Sequence, residues 1–194
     1  MKKIAIFASG SGSNFQAIIE AVKKGELEAD IALLVCDNLG AYALERAKNE
    51  EIPYFVFNAK EYDGKEAYEI EILKKLKKHE VDFIVLAGYM RLIGKTLLDE
   101  FEGRIMNIHP SLLPAFPGKD AIGQALTAKV KVSGVTVHYV DAGMDTGPII
   151  AQKPIEISEQ ETKESLQMKI HQVEHELYPK VIQQLIKEGI SVKK

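Results

Sequence analysis

Two polar side chains near the end of an apolar segment offer the clearest chemistry in this sequence. Asn107 and His109 lie two residues apart, so an extended backbone would direct both side chains to one face. An amide and an imidazole on one face can donate hydrogen bonds to a carbonyl oxygen that gains negative charge during a reaction. The pair therefore predicts chemistry on a carbonyl group. The alternative interpretation of His109 is a histidine that only orients the proline-rich loop after it.

An acidic residue in a later turn could act on the same imidazole. Asp145 lies in the turn-rich segment 141–148, where an aspartate commonly stabilises a turn, and that is its alternative interpretation. If the segment folds back toward the sheet, Asp145 would orient His109 and favour its protonated form through the proximity of opposite charge. Thr136 and His138 alternate on one face of a predicted strand, and we expect them to support the site from behind.

A glycine-rich turn near the N-terminus could bind an anion. Residues 10–14, Gly-Ser-Gly-Ser-Asn, join a predicted strand to a predicted helix, where backbone N–H groups and the positive helix end favour a phosphate. A plain tight turn with a good helix cap is the alternative. The turn lacks the Gly-Lys-Ser/Thr of a P-loop. Asn14 also replaces the third glycine of a dinucleotide-binding motif, although Asp37 ends the second strand suggestively.

Apolar segments and helical repeats alternate along the chain and predict the elements that must position these residues. Strands are predicted at 4–8, 31–36, 54–57, 83–86, 104–108, 135–140 and 149–155, and helices at 15–22, 41–51, 65–79, 97–102 and 162–188. Side chains of the turn 9–14 are expected to cap the first helix. The alternation predicts an α/β fold with a single doubly wound, mostly parallel sheet, helices on both faces, and one domain over residues 1–194. Asn107 and His109 would then lie at a strand carboxyl end, where such sheets bind ligands.

Composition and charge exclude several classes of protein. Hydrophobic residues make up 46% of the chain and charged residues 27%, as in an ordered globular protein. The formal net charge of −3 gives no general attraction to nucleic acid. Apolar segments all fall short of the ~18 residues of a membrane span. Cys36 is the single cysteine and lies in an apolar segment, so we expect a buried thiol and a cytoplasmic protein.

Metal and nucleophile chemistry find little support in the sequence. The chain has one cysteine and neither a His-Glu-x-x-His nor a Gly-x-Ser-x-Gly motif, which argues against a zinc site and a serine nucleophile. His171 and His175 lie four residues apart in the last predicted helix and could in principle share a metal ion. A solvated helix face is the favoured interpretation, so no metal is expected.

Several motifs together resemble one family. The segment 107–114, Asn-Ile-His-Pro-Ser-Leu-Leu-Pro, is similar to the folate-dependent formyltransferases, and the similarity to members that act on glycinamide ribonucleotide runs nearly end to end. Further matching motifs are Ala-Ser-Gly-Ser-Gly-Ser-Asn at 8–14, Leu-Ala-Gly-Tyr-Met-Arg at 86–91, Phe-Pro-Gly at 116–118, Val-Thr-Val-His-Tyr-Val at 135–140, Gly-Met-Asp-Thr-Gly-Pro at 143–148 and Glu-His at 174–175. The resemblance implies a Rossmann-like formyltransferase of purine biosynthesis.

The resemblance also implies a reaction and its catalytic residues. A formyl group would pass from 10-formyltetrahydrofolate, a co-substrate, to the amine of glycinamide ribonucleotide, without a metal. His109 would be the proton donor and Asn107 would bind the formyl oxygen. Asp145 would increase the proton affinity of His109 and help to move a proton off the attacking amine.

Binding residues follow from the same motifs. The resemblance places the ribonucleotide phosphate on Gly12, Ser13 and Asn14, and gives Glu174 a role in holding the ribonucleotide. It leaves open whether His171 contacts the phosphate. The residues implied for folate are Lys65, Met90, Arg91, Leu92, Ile93, Asn107 and Asp141.

Three alternative functions remain at this point. Methionyl-tRNA formyltransferase shares the chemistry but resembles a longer chain with a basic tRNA-binding domain, and formyltetrahydrofolate deformylase resembles one with an extra N-terminal domain. A nucleotide-binding regulatory module is the alternative from a different class. We expect neither of the extra domains, and neither nucleic acid nor a membrane as a partner, in a protein that is a monomer or a homodimer.

Overall fold

The computed structural model describes residues 1–189, and one sheet runs through them. Its strands are β1 (Lys2–Ala8), β2 (Ala29–Cys36), β3 (Tyr54–Val56), β4 (Phe83–Leu86), β5 (Ile105–His109), β6 (Val132–Tyr139) and β7 (Ile149–Glu156). The helices are α1 (Ser13–Lys23), α2 (Tyr42–Asn49), α3 (Lys65–Lys78), α4 (Lys95–Glu100), α5 (Ala121–Thr127) and α6 (Lys163–Glu188), with a 3-10 turn at Ala59–Glu61. Every predicted strand and helix is present, with its ends within three residues of the prediction.

The sheet is mostly parallel, as predicted. Within residues 1–189 its seven strands have the order β3-β2-β1-β4-β5-β6-β7. Neighbouring strands are parallel from β3 to β5, whereas β6 pairs antiparallel with β5 and β7 with β6. Helices connect the parallel strands because a parallel pair requires a crossover. The antiparallel strands β6 and β7 form one edge of the sheet.

Helices cover both faces of the sheet, which confirms the doubly wound architecture. Side chains alternate along β1, so that Ile4 and Ile6 pack in the cluster with α1, α2, α5 and α6. Ala5 and Phe7 point the other way and pack in the cluster with α3 and α4. Burial on both faces explains why β1 is a nearly continuous apolar segment.

Two local details differ from expectation. Helix α5 was not predicted, because it has seven residues and contains Gly123, too little sequence for a helical repeat to show. Its cap is Asp120, whose side chain accepts the Gly123 N–H. The prediction that side chains of residues 9–14 cap α1 was wrong. The N-cap of α1 is Gly12 with φ 71°, and no side chain accepts a capping hydrogen bond there.

The assignment of residues 1–194 to one domain stays a prediction. One sheet and two apolar clusters extend through the described residues, as one domain would show, whereas residues 190–194 lie outside them. Within residues 1–189, no helix has the length and apolar character needed to cross a bilayer.

Candidate active site

A cavity of about 530 Å³ opens at the carboxyl ends of β1, β4 and β5. The turn after β1, the segment after β4, the end of β5, the first half of α6 and the loop between β6 and β7 form its walls. The predicted site residues in its lining are Gly12, Ser13, Asn14, Met90, Arg91, Leu92, Ile93, Asn107, His109, His138, Asp141, Asp145 and Glu174. Residues far apart in the chain thus meet at the position where open α/β sheets bind ligands.

The pairing of β5 with β6 brings four polar side chains to one face. Asn107 lies opposite His138, and His109 lies opposite Thr136. Nδ1 of His138 donates to the Tyr139 carbonyl at 2.8 Å, which fixes the ring and leaves Nε2 facing Asn107 and Asp145. The Asn107 amide nitrogen lies 3.3 Å from that Nε2. His138 is thus placed to orient the Asn107 amide, and its supporting role stays a prediction.

Asp145 contacts both imidazoles. Its carboxylate oxygens lie 3.5 Å from Nδ1 of His109 and 3.7 Å from Nε2 of His138, which are ion-pair distances longer than a good hydrogen bond. The Gly118 N–H donates to the same carboxylate at 2.8 Å. Burial acts to raise the pKa of Asp145, but the His138 imidazole, the Gly118 N–H and the charge of His109 outweigh it and lower the pKa below its ordinary value. Asp145 is therefore a carboxylate at neutral pH.

His109 is held between two acceptors. Its Nε2 lies 2.9 Å from the Phe116 carbonyl oxygen, which can only accept, and its Nδ1 faces Asp145. Phe116 and Asp145 both have positive φ values, 54° and 56°, in the left-handed region that non-glycine residues seldom adopt. Strained backbone of this kind tends to occur at functional sites. His109 itself is 6% exposed, so the surrounding groups control its orientation.

Thr136 of β6 holds the loop after β5 by hydrogen bonds to its backbone. Its buried hydroxyl donates to the Ser111 carbonyl at 2.7 Å and accepts the Leu113 N–H at 3.0 Å. The Gln152 amide also donates to it at 3.0 Å. Thr136 does not line the cavity, so it fixes the proline-rich loop and acts on the cavity through that loop.

Asn14 and Glu174 meet beside the glycine-rich turn. The Asn14 amide donates to the Glu174 carboxyl group at 3.2 Å, which joins the start of α1 to α6. Glu174 is 6% exposed, and burial raises its pKa to about 7, although the Asn14 hydrogen bond acts in the opposite direction. A carboxyl group that changes charge near neutral pH thus faces the cavity.

Gly12 brings the turn close to α2. A Cβ atom at this position would lie 2.9 Å from the Cβ of Ala43, and the φ of 71° also disfavours any other residue. Because Gly12 is the N-cap and has no side chain, no side chain caps the first N–H groups of α1 at the cavity wall. Free N–H groups at a helix N-terminus favour an anion.

Residues 2–182 match the family model described as formyl transferase. The chain belongs to the formyl transferase family. It is 59% identical over 186 residues to the phosphoribosylglycinamide formyltransferase of Bacillus subtilis (strain 168), which covers 96% of this chain and 95% of the relative. The phosphoribosylglycinamide formyltransferase structure from Bacillus halodurans has a TM-score of 0.94 at 58% identity and covers 96% of each chain. Glycinamide ribonucleotide transformylase 1 from Geobacillus kaustophilus also gives 0.94, at 63% identity, over 95% of this chain and 98% of that one.

In this formyl transferase, the folate-binding roles of Lys65 and Asp141 stay predictions. Lys65 is exposed and does not line the cavity, and its Cδ atom lies beside Gly94. Asp141 lines the cavity, but its carboxylate accepts from the Gly143 N–H at 2.9 Å and the Thr146 hydroxyl at 2.6 Å. The turn-stabilising role considered for Asp145 therefore belongs to Asp141.

We favoured a solvated helix face for the two histidines of α6, but the structure partly buries both of them. His171 and His175 are half-buried, and their rings stack with centroids 6.0 Å apart. Burial lowers the pKa of both, and the charge of His171 contributes for His175. Within the described part of the chain, no group of three or more potential ligands could hold a metal ion. His171 lines the cavity of the formyl transferase.

Sequence reasoning missed the groups that hold the catalytic candidates in place. The Gly118 N–H and the Phe116 carbonyl belong to the Phe-Pro-Gly motif at 116–118, which was the one signal in the sequence. Every residue type has a backbone carbonyl, and all but proline have an N–H, so the motif did not indicate that these groups would bind Asp145 and His109. Lys163 and Gln167 of α6 also line the cavity and were not predicted. Lys163 is paired with Asp120 at 2.8 Å. Membership of the formyl transferase family implies a folate-type formyl donor.

Proposed function

We propose that this protein transfers the formyl group of 10-formyltetrahydrofolate to the amine of glycinamide ribonucleotide. The products would be N-formylglycinamide ribonucleotide and tetrahydrofolate, a step of purine biosynthesis. Membership of the formyl transferase family and the high identity to a phosphoribosylglycinamide formyltransferase support this reaction. The observation that carries the proposal is the group of Asn107, His109 and Asp145 on the wall of one cavity.

The cavity suits both substrates. Its lining combines the free N–H groups of the turn 10–14, which favour a phosphate, with apolar side chains such as Leu92, Val140 and Met144. We assign the phosphate to Gly12, Ser13 and Asn14 and the pteridine ring to the apolar part.

Asn107 and His109 would stabilise charge on the formyl oxygen. The amine nitrogen attacks the formyl carbon, and the carbonyl electron pair moves to the oxygen. The Asn107 amide and a His109 N–H then donate to this oxyanion. No covalent bond to the protein is required, so the absence of a nucleophile motif in the sequence fits the reaction.

Asp145 would assist by charge and position. In the structure Nε2 of His109 donates to the Phe116 carbonyl, so the ring must exchange that carbonyl for the formyl oxygen during the reaction. The Asp145 carboxylate stays beside Nδ1 and stabilises a protonated ring. The oxyanion then re-forms the C=O bond while the bond between the formyl carbon and the folate nitrogen breaks. That nitrogen keeps the electron pair of the broken bond and takes up the proton that the amine loses.

Glu174 would hold the ribonucleotide. It faces the cavity next to Asn14, and a carboxyl group with a pKa of about 7 can accept hydrogen bonds from substrate N–H or O–H groups once ionised. We further propose a cytoplasmic protein that acts as a monomer or a homodimer on small molecules.

The purified protein should be incubated with 10-formyltetrahydrofolate and one of three acceptors: glycinamide ribonucleotide, methionyl-tRNA or water. We expect formylation of the ribonucleotide alone. Turnover with tRNA or water instead would overturn the proposed acceptor. Nucleotide binding without folate binding would point to a regulatory module.

Variants test the residues. His109→Ala, Asn107→Ala and Asp145→Asn should each lower kcat by roughly 10²–10⁴-fold, because each removes a group that acts on the charged transition state. His79→Ala is the matched control, since His79 is the C-cap residue after α3 and does not line the cavity. Near-normal turnover in all three site variants would eliminate the assignment.

A further inference from the structure

The segment 88–94 after β4 is fixed from outside the cavity by side chains of other elements. Residues 88–93 line the cavity, and Met90 and Leu92 expose 70% and 45% of their surface. The Met90 N–H donates to the Ser9 hydroxyl at 2.9 Å, and Ser9 follows β1 directly. This contact holds the first part of the segment against the turn 10–14.

Asp37 holds the middle of the segment through the Arg91 side chain. The Arg91 Nε donates to the Asp37 carboxylate at 2.7 Å, and the Asp37 side chain is 7% exposed. The guanidinium also lies 5.8 Å from the centre of the Tyr68 ring. Asp37 stands where dinucleotide-binding folds have an acidic residue for a ribose, but here one oxygen of its carboxylate accepts from Arg91.

Glu69 holds the end of the segment. It is 2% exposed on α3, and its carboxyl group accepts the Gly94 N–H at 2.6 Å. Gly94 is the N-cap of α4 and supplies no side-chain cap, and Glu69 of a neighbouring helix accepts the N–H of this N-cap residue. A Cβ atom on Gly94 would lie 2.7 Å from Lys65 and 2.8 Å from Glu69, which shows how closely the segment approaches α3.

These contacts fix a segment that lines the cavity and carries two exposed apolar side chains, Met90 and Leu92. We infer that Glu69 and Asp37 are positioning residues for the formyl donor, acting through the segment 88–94 without touching the donor themselves. The inference rests on the proposed function, because it assigns the folate ring to this segment. A segment anchored at its start, middle and end presents its N–H and carbonyl groups in one arrangement, and small displacements of such groups weaken binding.

The test compares the two substrates within each variant. Glu69→Ala should raise KM for 10-formyltetrahydrofolate roughly tenfold and change KM for glycinamide ribonucleotide by less than about twofold. Glu69→Gln keeps an acceptor for the Gly94 N–H and should restore most of the affinity for the donor. Asp37→Ala should act in the same direction as Glu69→Ala. The ratio of the two KM values does not depend on how much of a sample is folded.

A matched control is available at the other end of the sheet. Asp82→Ala also removes a carboxylate that accepts a backbone N–H from another element, that of Lys3 at 2.7 Å, but Asp82 does not line the cavity. It should lower Tm and leave the ratio of the two KM values unchanged. Hydrogen exchange should quicken at residues 88–94 in Glu69→Ala and not in Asp82→Ala.

The outcomes separate this inference from the proposed function. Faster exchange at 88–94 with an unchanged KM for the donor, or an equal rise in both KM values, would overturn the positioning role and leave the reaction intact. If the wild-type protein binds the donor without turnover, the proposed function fails, and the Kd of the donor in the same variants decides the inference. A wild-type protein that does not bind the donor overturns both.

Discussion

Glu174 allows a test of whether a buried carboxyl group at the cavity is neutral below pH 7. The change is Glu174→Gln, which replaces the carboxyl group with an uncharged group of the same shape. The Asn14 amide can still donate to the remaining side-chain oxygen, so the hydrogen bond at 3.2 Å is preserved. The variant thus differs from the wild type mainly in its ability to ionise.

The magnitude follows from the pKa of about 7 in the folded protein, against an ordinary value of 4.5. Because the folded pKa is the higher one, the folded state holds the proton more strongly. The contribution of Glu174 to wild-type stability is therefore fully present below pH 4.5 and is lost as the pH rises toward 7. A shift of this size corresponds to about 3 kcal/mol, of which about 2.5 kcal/mol falls between pH 5 and pH 8.

Urea unfolding at pH 5 and pH 8 measures this difference. The free energy of unfolding of Glu174→Gln minus that of the wild type should increase by about 2–3 kcal/mol from pH 5 to pH 8. Glu176→Gln is the control, because Glu176 is exposed on the same helix, and its difference should stay almost constant. If the Glu174→Gln difference were the same at both pH values, the carboxyl group would not be held neutral and the reasoning would be wrong.

Three further substitutions test the scaffold. Gly12→Ala should lower the free energy of unfolding by about 2–4 kcal/mol, because it adds strain at positive φ and a contact of 2.9 Å with Ala43. It should also weaken ribonucleotide binding. Chemical denaturation measures the first effect and calorimetry the second. Tyr178→Phe should cost about 1–3 kcal/mol by removing a buried hydroxyl that donates to the Leu86 carbonyl at 2.8 Å, seen as a lower Tm with kcat unchanged. Thr136→Val should lower kcat as well as Tm, since it frees the loop after β5; unchanged kcat would contradict that role.

The fold was predictable where one residue type repeats along an element. The strand at 4–8 follows from its apolar side chains, yet β1 begins at Lys2, because the Lys2 backbone pairs with Ala29 although Lys2 and Lys3 have charged side chains. Helix α5 was not predicted for a related reason. Its cap, Asp120, and its Gly123 are residue types that are also common in loops such as the one before it. Elements defined by backbone pairing or by a single cap leave little pattern in a sequence.

The candidate site was predictable from residue types and motifs but not in its contacts. The spacing of Asn107 and His109 gave one shared face, and the resemblance supplied their expected roles together with that of Asp145. That Gly118 would hold Asp145 by a backbone N–H could not be derived, because any residue has one. The pairing of Asp37 with Arg91 depends on two segments 54 positions apart, so it required the folded chain.

The two faces of β5 and β6 show why polar residues here indicate function. On one face these strands carry Met106, Ile108, Val135 and Val137, which belong to the apolar cluster that α1, α2, α5 and α6 complete. On the other face they carry Asn107, His109, Thr136 and His138, and the last three are almost fully buried. Burying such groups costs free energy unless each has a partner, and an apolar face would be simpler to stabilise. Each one has a partner: His109 contacts the Phe116 carbonyl, His138 the Tyr139 carbonyl, Thr136 the Ser111 carbonyl, and Asn107 the His138 ring. The strands therefore retain a polar face that folding alone does not require.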